Sequence, residues 1–245
     1  MLEFRKLKQE IIMMRRGLYL SGIFAILSAA TLPAGDVASF VDLGFSEDGD
    51  TYIFAQYGIE EKTLFPWSNL FIVDVPQNDF VPGGRFTYTH NEPIGPVQDG
   101  AGALMHLISN NAVMTRRYRL DFLIKGIPVF LSLQNGQNPE GETVEFRDFR
   151  HELNYNAQLL PTYDNSSGII RSSFYIDVKQ TDKNGMERRF RVGTPEIKRA
   201  NITSYTIRRV LINPQNTCMI FVIEMTRTGA DGAPDIRYMV EALKM

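Results

Sequence analysis

Leu43-Gly44-Phe45 runs into Ser46-Glu47-Asp48-Gly49-Asp50, and Thr51-Tyr52-Ile53-Phe54 runs back out. An apolar strand, an Asp-Gly turn and an apolar return strand specify a tight β-hairpin, because Gly in the turn takes a positive φ at no steric cost. A further apolar run at 70–75 adds a third strand, so residues 40–76 read as an antiparallel meander. The chain repeats this pattern near its end. Val210-Leu211-Ile212, the turn Asn213-Pro214-Gln215-Asn216 and the return run 217–221 lie over the first hairpin, and 236–242 supplies the third strand of a unit at 205–243. Units of this kind build β-propeller blades or the sheets of a β-sandwich. The expected fold is all-β and mainly antiparallel, with one helix near 101–117, where Leu104, Leu107, Ile108 and Met114 fall near helical spacing.

The middle of the chain adds strands of less regular spacing. Residues 118–124 and 127–133 flank Lys125-Gly126, 143–149 alternates with Val144, Phe146 and Asp148 on one face, and 172–180 pairs with 186–192 around Asn184-Gly185. Segments 58–68 and 85–100 read as loops, with Pro82-Gly83-Gly84 as a turn. Asn135–Gly141, Asn165–Gly168 and Gly229–Pro234 read as loops too. No stretch reads as a linker, so 36–245 is expected to be one domain.

Residues 1–35 have the pattern of a secretory signal. Arg5, Lys6, Lys8, Arg15 and Arg16 precede an uncharged, mostly apolar run at 17–32, and small residues follow. The run is short for a spanning helix, so the expectation is cleavage and a periplasmic or secreted bacterial protein with no later membrane span. The other reading of this segment is an uncleaved tether. Residues 1–34 carry five Lys/Arg and two Glu, so the remainder has a formal charge of −5 against −2 for the whole chain. That balance does not favour nucleic-acid binding. Cys218 is the single cysteine and sits in the apolar run 217–223, which marks it as a buried small hydrophobe rather than a reactive thiol.

Familiar catalytic patterns are missing. His90, His106 and His151 do not pair at zinc-ligand spacing, no Gly-x-Ser-x-Gly occurs, and no glycine loop suits phosphate. Glu47, Asp48 and Asp50 offer oxygen ligands for calcium, but a hairpin turn asks for the same residues. His151, beside Asp148 and Glu152, reads as a solvated polar residue, with a general-base role as the sharper alternative. No cofactor is expected. Trp67 and Phe65, in the segment Phe65-Pro66-Trp67, and nearby Tyr57 are the candidate contact surface for a partner or a sugar, the other reading being a lid on the core. Arg188, Arg189 and Arg191 are the candidate anion contacts, since Arg grips carboxylate or phosphate bidentately, and Arg116-Arg117-Tyr118-Arg119 forms a second basic-aromatic patch.

Phe40–Gly49, then Phe54–Gly58, then 70–75, with the ending Pro234-Asp235-Ile236-Arg237-Tyr238-Met239, resemble a family of bacterial predicted secreted proteins known as domain of unknown function 2259. The resemblance implies export and no particular activity. The opening hairpin also resembles blades of the TolB-type periplasmic propeller. The functional expectation is an exported envelope protein acting as a non-catalytic binding module for an envelope protein or glycan. The alternative is a hydrolase of envelope polymers whose carboxylates meet only in the fold.

Overall fold

The computed structural model describes residues 36–95, 97–133, 139–166, 168–229 and 232–245. The signal-like segment 1–35 and parts of the three loops at 135–141, 165–168 and 229–234 lie outside the described residues. Three antiparallel sheets make up the fold, none of them closed into a barrel.

Sheet I contains β1 (Ser39–Ser46), β2 (Thr51–Ile59), β3 (Pro66–Asp74) and β4 (Asp79–Thr89) in meander order. Two helices follow, α1 (Ala101–Asn110) and α2 (Ala112–Arg117), and then the short β5 (Leu120–Asp121), which pairs with β1. The chain next lays down β6 (Ile127–Leu131) and crosses to sheet II. Sheet II holds β7 (Glu142–Asp148), β8 (Leu153–Asp164), β9 (Arg171–Thr181) and β10 (Glu187–Val192), with β11 (Arg199–Ala200) on β9. Sheet III closes the chain with β12 (Ile202–Ile212), β13 (Cys218–Thr228) and β14 (Pro234–Lys244), and β6 returns to pair with β12.

Sheet III lies between the other two, and its side chains show why. Along β13, Met219, Phe221 and Ile223 join the core with Tyr155, Leu159, Phe174 and Ile176 of sheet II. The alternate residues Cys218, Ile220 and Val222 join Phe45, Tyr52, Phe54 and Val73 of sheet I. A strand covered on both faces cannot alternate polar and apolar, which explains the unbroken apolar run 218–223. The outer face of sheet I is closed by α1, whose Leu104 and Leu107 pack on Ile53, Ala55, Leu70 and Ile72. Ser68 Oγ donates to the Ala103 carbonyl at 3.0 Å and fixes that helix in place.

The two hairpins that overlay in sequence also meet in space. Gln215 Nε2 donates to the Glu47 carbonyl at 3.0 Å, so the turns of sheets I and III touch. Asp48 caps its own turn by accepting from Ser46 Oγ (2.6 Å) and Asp50 N (3.1 Å), while Asp50 takes Lys244 Nζ at 2.8 Å.

Several segments differ from the expectation. The presumed turn at Pro82-Gly83-Gly84 lies inside β4, where Gly83 takes φ +69° and the register against β3 shifts between Phe71 and Val73. Glycines here make a bulge within a strand rather than an end to it. The loop read at 58–68 shrinks to 60–65, because Pro66 opens β3, the strand position where a missing N–H costs least. Strand β8 was hidden by its Asn residues and Pro161. The pairing of β7 with β8 ends at Glu142 and Leu159, so Pro161 lies beyond the stretch where β7 would need its N–H. The expected single helix is two, parted at Asn111.

Candidate functional site

The candidate contact residues do not share one surface. Trp67 is in β3 rather than a loop and is 8% exposed. Its side chain faces sheet III, its Nε1 donates to Asp36 Oδ2 at 3.0 Å, and the Arg237 guanidinium lies 4.3 Å from the ring centroid. Gly58 is opposite, and a Cβ there would come within 2.8 Å of the indole, so only glycine leaves room for the ring. Tyr57 points the other way, into the core under α1. Phe65 is half-buried at the end of the preceding loop. Among the anion candidates, Arg191 forms a bidentate pair with Asp177 (2.7 and 2.9 Å) and covers Tyr175, and Arg189 stands 3.7 Å from Glu187. Arg188 lies with Asp182, Asn216 and Met245 around a different recess from the one that Arg189 and Arg191 line.

One concavity, mostly apolar in its lining, is marked by no local sequence pattern. A cleft of about 490 Å³ follows the free edge of β14, with β2, β3 and β4 of sheet I as one wall and the 194–199 segment from sheet II as the other. Its apolar wall is a cross-strand aromatic ladder. Phe54 and Phe71 are register partners with ring centroids 4.8 Å apart, Phe80 follows at 5.4 Å, and Arg85 caps the series 4.1 Å from the Phe80 centroid. Val73, Met225, Met239 and Val240 complete the apolar lining.

The backbone of β14 supplies the polar part. N–H groups at even positions point away from β13: Ile236 N bonds the Asp36 carbonyl, Tyr238 N bonds Gln56 Oε1 (2.8 Å), and Ala242 N bonds Asn78 Oδ1 (2.6 Å). Pairing with β13 is continuous, so Val240 N–H points the same way. Among the described residues it has no acceptor.

Charge around the cleft is mostly arginine. Arg85, Arg199, Arg227 and Arg237 line it, against Asp79 and Glu241. Arg227 is paired with Asp235 at 2.9 Å and Arg237 with Asp36 at 2.5 Å. Burial raises the Asp36 carboxyl above its ordinary value and lowers Arg237 below its own, so for each member desolvation outweighs their mutual attraction. Glu241 is 4% exposed; burial pushes its carboxyl up, and the hydrogen bond from Asn78 Nδ2 and the Arg199 charge at 3.8 Å offset only part of that. Tyr238 is pushed up to about 12, by burial first and then by Glu224, whose Oε2 accepts its hydroxyl at 3.1 Å.

Other chemistry-bearing groups lie elsewhere. His90 and His106 both approach Tyr88, one bonded to its hydroxyl at 3.1 Å and the other with its ring centroid 4.4 Å away. Among the described residues no group of three or more His, Cys, Asp or Glu is placed to hold a metal ion. His151 Nδ1 sits 2.5 Å from Asp148 Oδ2, and Asp148 also accepts from the backbone N–H of Arg150 and His151. Burial works to raise the Asp148 carboxyl, but these bonds win and hold it below its ordinary 3.8. A carboxyl depressed on folding adds stability that is present in full above its unfolded pKa and is lost as pH falls through the folded value. Denaturation midpoints should therefore fall as pH drops through and below 3.8, and Asp148→Asn should flatten that slope. An unchanged slope would show that the pair does not contribute.

Cys218 is buried, and burial pushes its thiol up to about 12. A disulfide reagent at mildly alkaline pH should leave the folded protein unmodified and react with one thiol after denaturation. Labelling of the folded protein would contradict this burial.

Fold and cleft together define the class: an all-β protein of stacked antiparallel sheets with a recess along the edge of the middle one. Residues 53–244 match the model of the family described as predicted secreted protein, DUF2259, and the chain belongs to that family. No curated protein matches the chain. Among the described residues no helix is long and apolar enough to cross a membrane.

Proposed function

We propose that this protein is a non-catalytic binding module of the bacterial cell envelope, exported by residues 1–35 as a signal peptide, with 36–245 as its working domain. The cleft along β14 is its ligand site. The observation that supports this most is the cleft itself: about 490 Å³, apolar on its walls, with a few convergent polar groups, which is the usual build of a small-molecule site. Trp67 then positions rather than contacts. It packs on Arg237, and Arg237 lines the cleft.

The test is native mass spectrometry of the full chain recovered from its own cells, beside Thr194→Trp, which places an indole at the cleft wall. A retained non-protein mass on the parent chain, absent from a folded Thr194→Trp, supports the reading. Two equally bare proteins count against it.

One observation favours a second reading, a hydrolase of envelope polymers. Asp79 and Glu241 line the same cleft, and a pair of carboxyls flanking the scissile bond is the machinery of glycoside hydrolysis. Release of soluble fragments from purified envelope glycan, abolished by Glu241→Gln, would establish it in place of the binding role.

A further inference from the structure

The chemistry of the cleft also says what kind of ligand it suits, an inference that rests on the binding reading above. The ladder Phe54, Phe71 and Phe80, with Val73, Met225 and Met239, gives an apolar wall with few hydrogen-bonding groups. A glycan needs many such groups, and several of those that line the cleft are already engaged: Gln56 and Asn78 bond β14, and Arg227 and Arg237 bond Asp235 and Asp36. An added peptide strand is blocked, because the Tyr238 and Ala242 N–H groups are already taken by Gln56 and Asn78. About 490 Å³ has room for one flexible chain rather than the two of a membrane phospholipid.

Among the described residues, two of the four arginines on the cleft make no hydrogen bond to a carboxylate. Arg227 and Arg237 have their own carboxylates in Asp235 and Asp36. Arg85 meets only the Phe80 ring and, among the described residues, has no carboxylate within ion-pair distance. Arg199 stands 3.8 Å from Glu241, beyond hydrogen-bond reach, although the two count as an ion pair. The acidic groups on the cleft have partners of their own: Asp79 accepts its neighbour Phe80 N at 2.7 Å, and Glu241 accepts Asn78 Nδ2. Val240 N–H adds a donor in the same recess.

We propose that this cleft binds a single-chain acyl carboxylate, with the chain along the phenylalanine ladder and the carboxylate held by Val240 N–H, Arg199 and Arg85. Guanidinium groups suit a carboxylate because their paired N–H donors match its two oxygens.

Isothermal titration of the full chain with decanoate, decanol and acetate tests this. Decanoate should bind at least about tenfold more tightly than decanol, the margin of one charge-assisted contact, and acetate should not bind. Arg85→Met and Arg199→Met should each erode the preference for decanoate over decanol while leaving decanol unchanged, a result that loss of folding would not give. Thr194→Trp should block both ligands. Equal binding of decanoate and decanol would overturn the proposal, as would binding of lysophosphatidylglycerol without decanoate. If decanoate fails but the chain from cells retains another mass that Thr194→Trp removes, the binding reading stands and this ligand class falls. If decanoate fails and no mass is retained, both fall.

Discussion

Arg237→Met should be among the most damaging single substitutions in this protein. The guanidinium is nearly buried, bonds Asp36 Oδ2 at 2.5 Å and the carbonyls of Asp36 (2.9 Å) and Ile236 (2.8 Å), and lies over Trp67. It therefore ties the start of sheet I to the start of β14, beside the parallel bridge of Val37 with Ile236. Removing one member of a buried pair leaves the other desolvated and unpaired, which costs about 3–5 kcal/mol. For a domain of this size that is roughly 10 °C in Tm. Asp36→Asn in the same chain should recover part of the loss, since Asn carries no charge and still accepts Trp67 Nε1. Thermal and urea denaturation of the two variants read this directly. A single variant as stable as the parent would mean that the pair closes nothing.

Phe221→Ala should be comparably severe. Phe221 is fully buried on the face of β13 that meets sheet II. Truncating a buried Phe removes its transfer energy and leaves a cavity, about 3–5 kcal/mol in all. Its neighbour Ile220 is just as buried but faces sheet I, so Ile220→Val should cost only about 1 kcal/mol and act on the other core. Hydrogen exchange separates the two. Phe221→Ala should loosen amides of β8 and β9 first, and Ile220→Val those of β2 and β3. Identical exchange patterns would show that sheets I and II are not separate cores.

What the sequence makes legible here is what local chemistry decides. The Asp48-Gly49 and Asn184-Gly185 turns could be read because turn geometry depends on residues side by side. The strands of sheet III were legible as apolar runs, and Cys218 as a buried residue, for the same reason. That β13 is covered on both faces was not, because its partners lie at 45–73 and 155–176. β4 and β8 were missed where a local breaker, Gly83-Gly84 or Pro161, is absorbed by a bulge or by the end of a neighbouring strand. Trp67 looked like a loop residue because Pro66 precedes it, yet proline is at home at the first position of a strand. The cleft could not be read at all. Its ladder alternates with α1-facing residues on the same strands, and its donor is a backbone N–H exposed only because β14 ends a sheet.

The position of sheet III in the stack bears on how the chain is made. Sheets I and II emerge from the ribosome first, but each buries its inner face mainly against strands β12–β14, which are synthesised after both. Neither half can complete its core on its own, so the closing contacts join residues far apart along the chain, a topology that folds slowly. Stable structure has to wait until β12–β14 have been made, and a chain threaded unfolded through a membrane would find that delay built into its strand order.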